Sequence, residues 1–417
     1  MGTEKRRGKR WVRGLLVCCI GGLLATGGSA EPVVMKAAAI LPAEMLEGPN
    51  FWVEPDVRND GLVNTYRVKT KYGTLEIEGS PLLFERIGEV RALDTIEKMA
   101  TSEVYQKALK EGAKSPLRGA EALVDDPVGA LKGAATGIGR WMSDIGRSIS
   151  SNDPHQAGVA ETALGQATTK RAFAYEFGVD PYTRFKPLQK NLDDLGWAAA
   201  GGGLTTKLAF ALLPGGVGTV VSATGTAASM KALVRDKSPA QLDSINRDKL
   251  KAMGVGSQTI DAFLGNEALS PQDKTIIVGE LASLKGCKGR AAFVATAATS
   301  DDQAMALYMR YRAQMIGRFA SEKGGVERLV KVDQTLFVQT RRGEVVGLFP
   351  IDRVAYDAEM AEKLAVVDRA IGKLGGVRSK QLWIGGTVDA PAREYLLKRG
   401  WMVEERLFER LKPTREG

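Results

Sequence analysis

Apolar and polar side chains alternate between residues 51 and 79. Phe51, Val53 and Val57 fall on one side, Tyr66 and Val68 alternate with Arg67 and Lys69, and Leu75 and Ile77 alternate with Glu76 and Glu78. A period of two places every second side chain on one face, so this spacing predicts strands with one buried face. "RNDG" and "KYG" separate them with residues that accept left-handed backbone angles. The reading is a small antiparallel β-meander.

From Ser80 the period changes. Leu83, Ile87, Val90, Leu93 and Ile96 recur at helical spacing, with Ser80 as a cap and Pro81 in the first turn. The same punctuation recurs at Ser115-Pro116, Asp126-Pro127, Ser238-Pro239 and Ser270-Pro271, so the middle of the chain reads as mostly helical. "KRAFAYEFGV" interrupts it. Phe173, Tyr175 and Phe177 alternate with Ala174 and Glu176, which predicts a short strand. Residues 238–323 return to helices, and Met305, Tyr308, Met309, Ile316 and Phe319 give the one at 301–320 a packing face.

The C-terminal part reads as β-β-α-β-α-β. "QTLFVQTRRGEVVGLFP" is a hairpin turning at Arg342-Gly343, and residues 357–374 form a helix stopped by Gly375-Gly376. "KQLWIGG" is a strand, "APAREYLLKRG" a helix ended by Gly400, and "WMVEERLF" a last strand. The strand–helix–strand at the end suits a parallel crossover. The fold class is α+β, mainly α. An N-terminal antiparallel meander precedes a central helical region with a glycine-rich apolar hairpin, and a small α/β domain ends the chain. The expected boundaries are a signal peptide at 1–30, the meander with its long helix at 31–112 and the apolar hairpin region at 113–237. A helical region follows at 238–325 and the α/β domain at 330–411.

"LAFALLPGGVGTVVSATGTAASM", residues 208–230, carries no charge in a chain that is 26% charged. At ~1.5 Å per residue it is long enough for a ~30 Å hydrocarbon layer. Pro214, Gly215, Gly216, Gly218 and Gly225 interrupt it, so "LLPGGVG" reads as a corner between two short helices. Three placements remain open: a buried hairpin in a water-soluble domain, a hairpin lying in a bilayer, or a single span. Basic residues beyond it (Lys231, Arg235, Lys237) would favour a cytoplasmic C-terminal half for a span.

Residues 116–148 fall into three eleven-residue lines, "PLRGAEALVDD", "PVGALKGAATG" and "IGRWMSDIGRS". Such a period keeps one face of a nearly straight helix apolar. Trp141 between Arg140 and Arg147 suits a membrane interface; Pro127 and the many glycines suit short surface helices on a core instead. The candidate contact residues for a lipid surface or a protein partner are Leu131, Ile138, Arg140, Trp141, Met142, Ile145, Leu208, Phe210, Leu212, Leu213, Val217, Val220 and Val221.

The first thirty residues set the expected compartment. A basic leader (Lys5, Arg6, Arg7, Lys9, Arg10, Arg13) precedes the apolar "LLVCCIGGLLAT" and the small residues Gly28-Ser29-Ala30, the pattern of a secretory signal peptide cleaved before Glu31. Removal takes six basic residues and one acidic residue, so the formal charge falls from +9 to +4. That mild charge does not call for a nucleic-acid partner. Of three cysteines only Cys287 remains, so no disulfide forms within the mature chain.

Candidate chemistry is sparse. His155 in "NDPHQ" is the single histidine and reads as a turn residue; no G-x-S-x-G accompanies it, and one His with one Cys does not build the usual zinc site. "GWAAAGGGLTTK" lacks the Lys-Thr order of a phosphate loop. "IGGTVDAP" could hold an anion at a helix start, but Asp389 is placed to cap that helix. Lys285, Lys288 and Arg290 around Cys287 could activate it; a buried structural thiol is the alternative. "LKAMGVGSQTIDAFLG" reads as a helix pair used for packing. The aromatics at 173–185, beside Arg171, Arg184 and Lys186, read as core or as a sugar- or peptide-facing strip. No cofactor is expected. The leading expectation is an exported, non-enzymatic envelope protein, periplasmic and in one version attached to the inner membrane, that binds a lipid surface or an envelope protein. The alternatives are a periplasmic carboxylate-dependent hydrolase acting on glycan or peptide, and a soluble periplasmic partner-binding module.

Overall fold

A strand of exposed valines, β1 (Val33–Lys36), begins the part of the chain that the computed structural model describes, which covers residues 33–101, 103, 106, 107, 154–200 and 226–411. β2 (Glu47–Gly48), β3 (Phe51–Val53), β4 (Asp56–Asn59), β5 (Asn64–Thr70) and β6 (Gly73–Glu78) complete an antiparallel sheet. β5 is its centre, with β6 on one edge and both β3 and β4 on the other. Phe51, Val53, Val57, Tyr66, Val68 and Ile77 are buried while Trp52, Arg58, Arg67 and Lys69 are not, which is the alternation expected from the sequence. β1 and β2 were not anticipated, being too short to show a period.

The fold is α+β and mainly helical. Apart from a single turn at Ala37–Ile40, the described α-helices before the second sheet are α1 (Ser80–Ala100), α2 (Pro154–Glu176), α3 (Lys186–Ala200), α4 (Thr226–Asp236), α5 (Pro239–Ala252), α6 (Ser257–Leu264), α7 (Pro271–Ser283), α8 (Arg290–Ala297) and α9 (Gln303–Lys323). The apolar stripe of α1 is buried throughout. Pro239 and Pro271 each open a helix as expected. At α7, Ser270 accepts from the Asp273 amide, and the Asp273 carboxylate accepts from the Ser270 amide, a reciprocal cap that satisfies two end donors.

The chain divides into two compact units. One comprises residues to Ile87, Ala223–Val234 and Pro239 onward; the other comprises Gly88–Ser222 and Arg235–Ser238. In the second unit α2 packs on α3. Here the expected strand at "KRAFAYEFGV" is corrected: these residues are the last turns of α2 and its end. Phe173 and Ala174, adjacent in sequence, are both fully buried, which a half-buried strand does not allow. Phe173 and Phe177 stack one turn apart at 6.1 Å. Gly178, at φ 71°, closes the helix, its amide donating to the Tyr175 carbonyl at 3.0 Å.

In the first unit a five-stranded sheet follows α9: β7 (Val326–Val332), β8 (Thr335–Thr340), β9 (Glu344–Phe349), β11 (Ser379–Ile384) and β13 (Trp401–Glu404), in spatial order β13-β11-β9-β8-β7. β7, β8 and β9 form an antiparallel meander; β9, β11 and β13 are parallel. The connections are β10 (Arg353–Val354) and α10 (Ala358–Gly372), then β12 (Thr387–Val388) and α11 (Ala390–Lys398). The crossover between β11 and β13 is the one anticipated. β7 was not, and the last strand is shorter than expected: it ends at Glu404, Arg406 turns the chain at φ 59°, and Leu407 begins α12 (Leu407–Leu411). One continuous hydrophobic core joins this sheet to α5–α9.

Candidate functional site

Buried polar side chains converge where the loop after β9 meets the starts of β5 and α1. The Asn59 side-chain amide donates to Asn64 Oδ1 at 2.8 Å, and Asn64 Nδ2 donates to the Tyr66 hydroxyl at 2.7 Å. That hydroxyl meets Ser80 Oγ at 2.8 Å. The row ends on Asp352, whose Oδ2 accepts from the Asn64 amide at 2.7 Å and whose Oδ1 accepts from the Ser80 amide at 3.1 Å. Burial pushes the Asp352 carboxyl up to about 6 although these donors favour its charged form. Burial, with the nearby Asp352 charge, also pushes the Tyr66 phenol up.

Asp352 lines a cavity of about 30 Å³ with Glu78, Tyr308, Val63, Leu82 and Met305 among its walls. This is well below the roughly 300–1,000 Å³ of a small-molecule site. Glu78 and Asp352 are the two carboxylates on its wall. The Asp352 oxygens are already engaged by backbone amides.

Several other buried charges are similarly committed. Arg310 reaches Asp273 at 3.0 Å and also pairs with Glu85, while Asp273 still serves the cap of α7. The Lys274 ammonium donates to the Leu264 carbonyl at 2.5 Å, and burial lowers its pKa. Arg312, 1% exposed, donates through Nε to the Leu348 carbonyl at 3.1 Å and through Nη2 to the Leu336 carbonyl. In the register Val338–Val346 and Gln339–Val345, Leu336 and Leu348 are the next facing pair of like kind, and the guanidinium takes both of their carbonyls.

The candidate lipid- or partner-contacting residues, Leu131, Ile138, Arg140, Trp141, Met142, Ile145, Leu208, Phe210, Leu212, Leu213, Val217, Val220 and Val221, lie outside the described residues, as does the leader. Of the uncharged run only 226–230 is described, as the first turn of α4. Among the described residues no helix is long and apolar enough to cross a membrane, and no group of His, Cys, Asp and Glu is placed to hold a metal ion. His155 lies in the first turn of α2. Phe173 and Phe185 are core residues. Asp389 caps α11, accepting from the Ala392 amide at 2.8 Å, and so occupies the anion position itself. Cys287 is buried, and burial pushes its thiol up despite the opposing effect of Arg290.

The hub at Asp352 was missed because its partners come from distant parts of the chain. Glu280 had a signal: it is the single charge in "IIVGEL", at the spacing of Ile276 and Ile277. Comparison with known protein families, curated proteins and solved structures finds no match to this chain.

Proposed function

We propose that this is a non-enzymatic protein of the cell envelope, exported by its basic and apolar leader and attached to a lipid surface through residues 116–148 and 208–230. The observation that carries the non-enzymatic part is the use of the buried charges. Asp352, Arg310, Arg312 and Lys274 each hold one element of the fold to another. Asp352, one of the two carboxylates on the cavity wall, has its oxygens filled by backbone amides rather than open to a substrate. The lipid part is supported by the uncharged run and by Trp141 with its flanking arginines.

The test is fractionation of the full-length protein from a bacterial host, followed by a carbonate wash of the membranes. Release by carbonate is the expected result. Recovery in the soluble periplasm without a wash overturns surface attachment and leaves a soluble partner-binding module. Retention until detergent is added places the uncharged run or an uncleaved leader in the bilayer, and sequencing the N-terminus of the retained protein separates those two. Liposome flotation of the carbonate-released protein distinguishes lipid from an envelope protein as the anchor.

A further inference from the structure

Helices α7 and α9 pack in parallel, with Asp273 facing Arg310 and, seven residues on along both helices, Glu280 facing Gly317. The first pair is an ion pair. The second is a carboxyl against a bare backbone. Glu280 is 6% exposed and has neither a hydrogen bond nor an ion pair from its side chain within the described residues. A Cβ at position 317 would overlap Glu280 Oε2, so glycine is what leaves the carboxyl its space. On the other side of α7, Gly279 is covered by Met230 of α4.

We propose that Glu280, seated against Gly317, is a proton-operated latch: α7 and α9 close over the neutral carboxyl and are pushed apart when it ionises. An isolated buried carboxylate is strongly unfavourable, whereas a neutral carboxylic acid is tolerated more easily. The charges on the surrounding helices do not compensate it. On α9, Arg310 is held by Asp273 and Glu85, Arg312 by two carbonyls, and Arg318 by Glu322. On α5, Lys249 lies against the Met230 sulfur, Arg247 pairs with Asp261 of α6, and Asp243 acts on Lys274. On α8, Arg290 donates to the carbonyls of Leu281 and Leu284, and Lys231 of α4 is engaged with another group. Burial alone accordingly pushes the Glu280 carboxyl up to about 8. Its small residual exposure gives the proton a way in from solvent.

The latch does not depend on the envelope reading. It is tested on the full-length chain by urea unfolding between pH 6 and 8, comparing the wild type with Glu280→Gln. The folded state holds a proton that the unfolded state releases, so the wild-type unfolding constant should rise by close to tenfold from pH 6 to 7 and less steeply towards pH 8. Glu280→Gln, neutral at every pH, should remove most of that slope, leaving the smaller part near pH 6 that Asp352 carries. An unchanged slope in Glu280→Gln overturns the latch. If that variant does not fold, the wild type alone decides: unfolding at pH 7 in weakly buffered solution should release close to one proton per chain, and no release overturns it.

Discussion

Asp352 and Ser80 are 272 residues apart in the chain, yet the Asp352 carboxylate takes the backbone amide that opens α1. A helix start leaves donors without intrahelical partners, and a side chain just before the helix usually supplies the acceptor. Here the acceptor arrives from the loop after β9. The same carboxylate takes the Asn64 amide at the start of β5, so one side chain fixes a strand start, a helix start and a loop together.

Replacing Asp352 with Ala should therefore cost about 2–6 kcal/mol, because two buried amides lose their acceptor at roughly 1–3 kcal/mol each. Asp352→Asn keeps one oxygen and should cost about half as much. The pH dependence has a definite sign. Between about 4 and 6 the folded state retains a proton that the unfolded state has lost, because burial raises this carboxyl from 3.8 to about 6. Its contribution is greatest below pH 4 and is lost as pH rises through 6. Urea midpoints should follow that course in the wild type and lose it in Asp352→Asn; parallel curves would mean the carboxyl titrates normally.

Arg312 offers a separate test. Its guanidinium satisfies two carbonyls at the end of the β8–β9 ladder. Arg312→Met keeps much of the apolar bulk but leaves both carbonyls bare, and should destabilise the fold by about 2–4 kcal/mol. Arg312→Lys retains the charge without the planar fork and should fall between. Amide hydrogen exchange should quicken first in β8 and β9. Wild-type midpoints in Arg312→Met would show that water or backbone replaces the guanidinium at no cost.

The parts of this fold that the sequence disclosed are those encoded by near neighbours. The alternation from Phe51 to Ile77, the stripe of α1, the Ser-Pro starts of α1, α5 and α7 and the turn at Gly343 each depend on residues a few positions apart, and each is present; the starts expected at Ser115-Pro116 and Asp126-Pro127 lie outside the described residues. "KRAFAYEFGV" misled because aromatic alternation over five residues fits a strand as well as the end of a helix. The discriminating feature was Gly178, a helix-ending residue in the left-handed region, together with Phe173 and Phe177 one turn apart. β7 escaped notice because Glu327, Arg328 and Lys331 obscure its period. The polar hub was not legible, since no local pattern links Asp352 to Asn64 or Ser80. Glu280 was legible as an oddity, but what made room for it, Gly317, lies on another helix.

Two glycines should respond in opposite ways to the same added methyl group. At Gly386 a Cβ would run into the backbone of Asp352, which cannot swing aside as a side-chain tip can. Gly386→Ala should cost about 1–3 kcal/mol, the usual penalty for overpacking. At Gly88, inside α1, a Cβ would meet nothing within 4 Å. Gly88→Ala should stabilise by about 0.5–1 kcal/mol, because the unfolded chain loses freedom and the helix gains a better former. Thermal midpoints moving in opposite directions would support both placements. A loss at Gly88 would mean that something covers that face of α1.

Cys287 tests whether the basic residues around it activate it. Lys285, Lys288 and Arg290 adjoin it in sequence and would favour a thiolate if they faced the sulfur. In the fold Arg290 does lower the thiol, but burial outweighs it and the net direction is upward; Arg290 also spends Nη1 on the carbonyls of Leu281 and Leu284. The sulfur itself lies near the Lys288 carbonyl at 3.4 Å. A raised thiol is mostly protonated at neutral pH, and a buried one is shielded from the reagent, so both effects slow attack. With Cys18 and Cys19 changed to Ser, Cys287 is the single thiol in the chain. It should react with an aromatic disulfide reagent at pH 8 only as fast as the protein opens, and at the rate of a free peptide thiol in urea. Added stabilisation, such as Gly88→Ala, should slow the native reaction if opening is global and leave it unchanged if only the β7 side of α8 opens. Rapid native labelling that is indifferent to urea would instead make Cys287 an accessible, activated thiol.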